Sequence, residues 1–157
     1  MNKKSGFTLI ELLTVVVILG ILTSIAVPQY RKSIQRTEAA NALINLKTIF
    51  DSAKRAYAST SNWPNSFVGL DVDLLDVSAQ GDMGEFRYAF DAADRTVSAC
   101  RLAGGAAGGT FCLRAYYRRG GTRDVFTCNY ADVKYRSLCD SLCRTPAGGV
   151  NVECVME

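Results

Sequence analysis

Residues 1–28 read Met1-Asn2-Lys3-Lys4-Ser5-Gly6, then Phe7-Thr8-Leu9-Ile10-Glu11-Leu12-Leu13-Thr14-Val15-Val16-Val17-Ile18-Leu19-Gly20-Ile21-Leu22-Thr23-Ser24-Ile25-Ala26-Val27, closed by Pro28. A short basic leader ending in glycine thus runs directly into an apolar stretch. The 21 residues from Phe7 to Val27 extend about 31 Å as a helix, the thickness of a bilayer's hydrocarbon core. Length and composition predict a membrane-spanning helix with one anomaly. Glu11 lies one turn inside the apolar run, where an unpaired charge is costly and marks a functional residue.

Two ordinary explanations fall short. A secretory signal peptide has an apolar core of about 7–15 residues and a small-x-small cleavage site; this run is longer, and Ser24-Ile25-Ala26 is a weak candidate for such a site. A plain signal anchor explains Lys3, Lys4 and the length, but not the carboxylate. Lys3 and Lys4 hold the N-terminus in the cytoplasm and place everything after Pro28 outside it. Arg31, Lys32 and Arg36, just past the span, weaken that charge bias.

Gly6-Phe7-Thr8-Leu9-Ile10-Glu11, after a few basic residues and with Gly20 and Pro28 beyond, resembles the N-terminus shared by type IV pilins and the pseudopilins of type II secretion. The resemblance covers residues 1 to about 60. It implies that a prepilin peptidase cuts between Gly6 and Phe7 and methylates the new amine of Phe7. Glycine suits such a junction, because a residue without Cβ enters a tight protease site in whatever conformation the site imposes. The freed Phe7 amine is then a cation that Glu11 of a neighbouring subunit can neutralise at low dielectric. Such a pair rewards one axial stagger over others, so Glu11 acts more as an assembly gauge than as a source of net stability. The alternative is a Glu11 that sits at headgroup level or is protonated.

Gly20 and Pro28 mark weak points of the helix, the first by about 1 kcal/mol relative to alanine, the second by removing the hydrogen bond to the Ser24 carbonyl. Beyond Pro28, Ala39, Leu43, Leu46, Phe50, Ala53 and Tyr57 fall at spacings of three and four, the stripe of an amphipathic helix. Asn41, Asn45, Thr48, Ser52 and Arg55 are assigned to the opposite, polar face. Four parts are expected: a leader, 1–6; a transmembrane and assembly helix, 7–28; an amphipathic continuation, 29–58; and a globular head, 59–157.

The head begins in a loop, 58–66, whose Trp63-Pro64 resembles the aromatic-proline pair that follows the long helix in the family. Asp71, Asp73 and Asp76 invite a calcium reading, but the glycine and distal glutamate of an EF-hand loop are missing; they are expected to face solvent. Alternation of period two starts at Phe86, with Phe86, Tyr88 and Phe90 on one face, and recurs at 96–102, 110–118 and 122–129. The expected fold is α+β: a long N-terminal helix packed against a four-stranded antiparallel sheet, with a disulfide-stapled C-terminal region.

All six cysteines lie in the C-terminal third, in a region expected to be exported, where an even count points to disulfides. Cys100 and Cys112 are equidistant from residue 106, the middle of Gly104-Gly105-Ala106-Ala107-Gly108-Gly109. In a symmetric hairpin they face each other within bonding reach. Cys139 and Cys143 share one face of a short helix expected over 132–144, so each bonds outward, to Cys128 or Cys154. A four-thiolate zinc site is the rival for these four.

The chain has no histidine, no phosphate-cradling glycine loop before a lysine and no nucleophile with an evident base, so no catalytic residue, cofactor or metal is assigned. Loss of Lys3 and Lys4 with the leader leaves 16 basic against 15 acidic residues, too even a balance to specify a partner. Arg114, Arg118, Arg119 and Arg123, interleaved with Tyr116 and Tyr117, could contact nucleic acid, although arginines on a strand edge also block unwanted pairing. The family resemblance implies a subunit of a helical homo-oligomeric filament, with the peptidase, the membrane and an inner-membrane assembly machinery as partners. The precursor would lie in the inner membrane with its head in the periplasm, and the assembled form would be an extracellular pilus. A type II secretion pseudopilin and a monomeric membrane-anchored binding domain are the competing readings; the cysteines and the missing calcium loop favour the pilin.

Overall fold

The computed structural model describes residues 7–72, 81–102, 111–117, 124–143 and the backbone of 154–156. Helix α1 runs from Leu9 to Thr60 without a break, carrying Pro28 in its interior. It ends where Ser61 takes a left-handed φ of 58°, the conformation that most often closes a helix, and the Ser61 N–H donates to the Tyr57 carbonyl at 2.8 Å. The chain forms two units, divided between Thr37 and Glu38.

In the first unit every described side chain from Phe7 to Ile34 is exposed, including Leu9, Ile10, Leu12, Leu13 and all the valines and isoleucines of the run. A helix apolar on all sides belongs in lipid or in the core of an assembly. Among the described residues this is the stretch long and apolar enough to cross a membrane, with a mean hydropathy of 2.5 over its best 18 residues.

The second unit is a helix on a sheet. From the part of α1 that belongs to it, Ala39, Ala42, Leu46, Ile49, Phe50 and Ala53 are buried, at the three-and-four spacing of one helical face. Among the described residues the sheet holds six antiparallel strands in chain order: β1 Asp82–Met83, β2 Phe86–Asp91, β3 Thr96–Arg101, β4 Phe111–Tyr116, β5 Val125–Tyr130 and β6 Cys154–Met156. The four central strands are those expected from alternation. The two short edge strands correct the expected count, since two or three residues are too few to show a period. Phe86, Tyr88, Val97, Ala99, Phe111, Leu113, Ala115, Cys128 and Tyr130 form the core with the α1 stripe.

The polar face of α1 differs from expectation at two places. Ser52 is 1% exposed; its hydroxyl donates to an Asp71 carboxylate oxygen and accepts from the Asp71 N–H at 3.1 Å. Asn45 is half-buried and donates to the Met83 sulfur at 3.1 Å. The buried face is thus rotated toward Ala42 and Ile49, and the loop after α1 covers the serine. That loop is also fixed by Arg55, which grips both oxygens of Asp71 at 2.7 and 2.9 Å. Asp71 thus faces solvent, as expected, while also tethering the loop to α1; Asp73 and Asp76 lie outside the described residues.

Gly81 is required where it stands. Its φ is +82°, and a Cβ there would meet the Tyr88 carbonyl oxygen at 2.3 Å, the backbone of which bonds to Gly81 through Tyr88 N–H at 2.8 Å. Asp82 and Arg87, opposite each other on β1 and β2, are ion-paired at 2.5 Å.

After β5 the chain turns through a 3-10 segment, Val133–Tyr135, capped by Asp132, whose carboxylate accepts from Lys134 N–H at 3.0 Å. Helix α2 follows, Arg136–Leu142, shorter than the 132–144 expected.

Candidate functional site

The start of α1 is built as a reciprocal cap. Thr8 precedes the first helical residue, and its N–H and hydroxyl both donate to Glu11 Oε2, at 2.8 and 2.7 Å. The Glu11 N–H points back to Thr8 Oγ1 at 3.4 Å. This is the Thr-x-x-Glu capping box, which satisfies amides that a helix end otherwise leaves without partners. The carboxylate also lies at the positive end of the helix dipole. Among the described residues both donors to Glu11 come from Thr8 and reach Oε2, and none reaches Oε1. Phe7, 80% exposed, is the residue just before the cap. Gly6 lies outside the described residues.

The sequence-based expectation gives Glu11 the Phe7 amine of a neighbouring subunit as its partner and assigns Thr8 no role. The signal was present: threonine followed three residues later by glutamate, just before an apolar run.

Gly20 stands in an unbroken stretch of α1 with nothing within 4 Å of where a Cβ would project, and the helix continues through Pro28. Ser24 Oγ, next to the carbonyl that Pro28 leaves without a donor, bonds to the Ile21 carbonyl at 2.7 Å.

In the head, Cys100 and Cys112 face each other in register on β3 and β4 with Cα atoms 4.1 Å apart and are joined by a disulfide. A second disulfide joins Cys128 on β5 to Cys139 on α2, and both residues are fully buried. Cys143 is also disulfide-bonded. Cys154 pairs through its backbone with Cys128 at the β5–β6 ladder. Among the described residues no cluster of histidine, cysteine, aspartate or glutamate could hold a metal ion.

Only part of the basic and aromatic run at the end of β4 falls among the described residues. Arg114 is half-buried on β4, and Tyr117 is taken by the core edge, its ring 5.7 Å from Trp63 and 5.6 Å from Tyr57. Arg118, Arg119 and Arg123 lie outside the described residues. A pocket of about 200 Å³ opens beside Glu38, Asn45, Met83, Glu85 and Tyr88, but Glu38 is already paired with Arg101 at 2.9 Å.

Residues 1–27 match the model of the prokaryotic N-terminal methylation motif. The chain is similar to a fimbrial protein of Pseudomonas aeruginosa, 43% identical over 56 residues, 36% of each chain. It is also similar to the type IV major pilin protein PilA of Myxococcus xanthus, 38% identical over 61 residues, 39% of this chain and 28% of that one. A type IV major fimbrial protein FimA of Dichelobacter nodosus is 32% identical over 80 residues, 51% of each. The match thus spans 28% to 51% of the length of these relatives. No solved structure matches it.

Proposed function

We propose that this chain, whose N-terminal part is that of a type IV pilin, is a structural subunit of a type IV pilus filament. The observation that carries the reading is the Gly6-Phe7 junction placed directly before a capped helix whose Glu11 accepts both Thr8 donors on Oε2 and whose apolar surface is unburied for its whole first unit. Cleavage after Gly6 and methylation would leave the Phe7 amine as a cation at the helix start. In a filament that amine meets Glu11 of the adjacent subunit, Thr8 holds the carboxylate in place, and the apolar surfaces from Leu9 to Val27 bury one another. Burial is worth about 25 cal/mol per Å² of apolar surface, which makes the helix the adhesive and the Phe7–Glu11 pair the gauge of stagger.

A prepilin peptidase and an inner-membrane assembly machinery are the partners this requires. The precursor would sit in the inner membrane with its leader in the cytoplasm and its head in the periplasm, and the assembled form would be extracellular. The role is structural and needs no catalytic group. Glu11→Ala is the direct test: shear fractions and imaging should show no fibres while cleavage at Phe7 and protein secretion continue. Normal fibres from the variant would overturn the gauge. Wild-type chain absent from sheared fibres, together with a secretion defect on deletion, would transfer the chain to the pseudopilins.

A further inference from the structure

Three cations stand just past the apolar run, on the side where the charge rule for topology expects few. Arg31, Lys32 and Arg36 are all exposed, and among the described residues none has an ion-pair or hydrogen-bond partner. Lys32 and Arg36 are four positions apart, so they share a helix face and repel each other, which weakens an isolated helix. Such a face calls for an anionic partner from outside the molecule.

Position identifies the partner. If the hydrocarbon edge lies at Val27, Arg31 and Lys32 stand about 6 and 8 Å beyond it and Arg36 about 14 Å. The headgroup layer on each side of a bilayer is about 5–8 Å deep. Helical side chains lean toward the N-terminus, here back toward the bilayer, and long basic side chains extend their charge further in that direction. Tyr30, 68% exposed, supplies the amphipathic ring characteristic of a membrane interface. The four residues thus continue the lipid-facing surface of the span with a basic, aromatic border.

We propose that Tyr30, Arg31, Lys32 and Arg36 form a collar that binds the headgroups of anionic phospholipids in the leaflet facing the head, fixing the depth of the chain in the bilayer before assembly. The inference rests on the membrane-anchored precursor of the proposed function. It also accounts for the basic residues that oppose the topology signal: once Lys3 and Lys4 leave with the leader, the collar is the concentration of positive charge that borders the span.

The test uses the full chain in neutral detergent micelles, titrated with short-chain phosphatidylglycerol, with phosphatidylcholine and inorganic phosphate in parallel, and read by the amide signals of residues 30–37. Saturable shifts with phosphatidylglycerol only are expected. The triple variant Arg31→Gln, Lys32→Gln, Arg36→Gln should bind about a hundredfold more weakly, at about fivefold per basic residue. Equal shifts with phosphatidylcholine, the same response to inorganic phosphate, or undiminished binding by the triple variant would overturn the collar. Undiminished binding combined with loss of fibres would assign these residues to contact with a second copy of the chain. Selective phosphatidylglycerol binding by a wild-type chain that forms no fibres in cells would support the collar and sink the filament.

Discussion

Replacing both Cys128 and Cys139 by alanine should destabilise the head more than replacing both Cys100 and Cys112. The two bonds close loops of nearly equal length, with sequence separations of 11 and 12. By the chain-entropy relation each stabilises by about 3 kcal/mol. Their surroundings differ. Cys128 and Cys139 are fully buried, so alanine also leaves a gap in the core, whereas Cys100 and Cys112 are half-buried on the sheet surface. Helix α2 adds a second asymmetry, because its seven residues bury only Leu138 and Cys139, and a helix that short does not persist alone. For a head of this size, about 3 kcal/mol corresponds to a fall in melting temperature of about 10–20 °C. Thermal unfolding followed by circular dichroism, with hydrogen exchange at residues 136–142, reads both effects. A Cys128/Cys139 variant that melts within a few degrees of wild type, or above the Cys100/Cys112 variant, would refute the reasoning.

Asp71 is held at a pKa of about 2, below its ordinary 3.8, first by the hydrogen bonds from Arg55 and then by Ser52. A depressed carboxylate contributes stability that is present above its unfolded value and lost as pH falls through its folded one, so melting temperature should drop between pH 3.8 and about 2; Asp71→Asn should flatten that part of the profile. Gly81→Ala must move a Cβ off the Tyr88 carbonyl and abandon a positive φ, which should cost about 1–3 kcal/mol, visible as a lower denaturation midpoint in urea. Thr8→Val removes the hydroxyl that both donates to Glu11 Oε2 and accepts from the Glu11 N–H, leaving the backbone N–H bond of residue 8 to Glu11 in place, and costs about 1 kcal/mol of helix-end stability; cleavage after Gly6 should persist while the yield of sheared fibres falls.

Much of this architecture could be read in the chain because its signals are periodic or symmetric. The equal distance of Cys100 and Cys112 from residue 106 fixed the β3–β4 register, since in a symmetric hairpin residues facing each other must be equidistant from the turn. The α1 stripe was legible in large part: Ala39, Leu46, Phe50 and Ala53 are buried and Leu43 and Tyr57 pack against the core, while Ala42 and Ile49, which the stripe left out, are buried as well. A small residue gives little hydropathy signal, yet it lets a helix approach a sheet closely. Ser52 looked like surface because its partner, Asp71, comes from a loop that has no period. Tyr117 looked like half of a basic and aromatic patch, and only the fold reveals that Trp63 claims its ring. At the N-terminus the opposite occurred. The Thr8–Glu11 cap was written in the plainest local pattern of the chain, and it was masked by the stronger anomaly of a charge in an apolar run.

The mass of the N-terminus of this chain recovered from sheared surface fibres tests the central claim most directly. A pilin subunit should start at N-methylated Phe7, with residues 1–6 gone and everything after them retained. An intact Met1, or a start near Val27 as a secretory signal peptidase would leave, would contradict it.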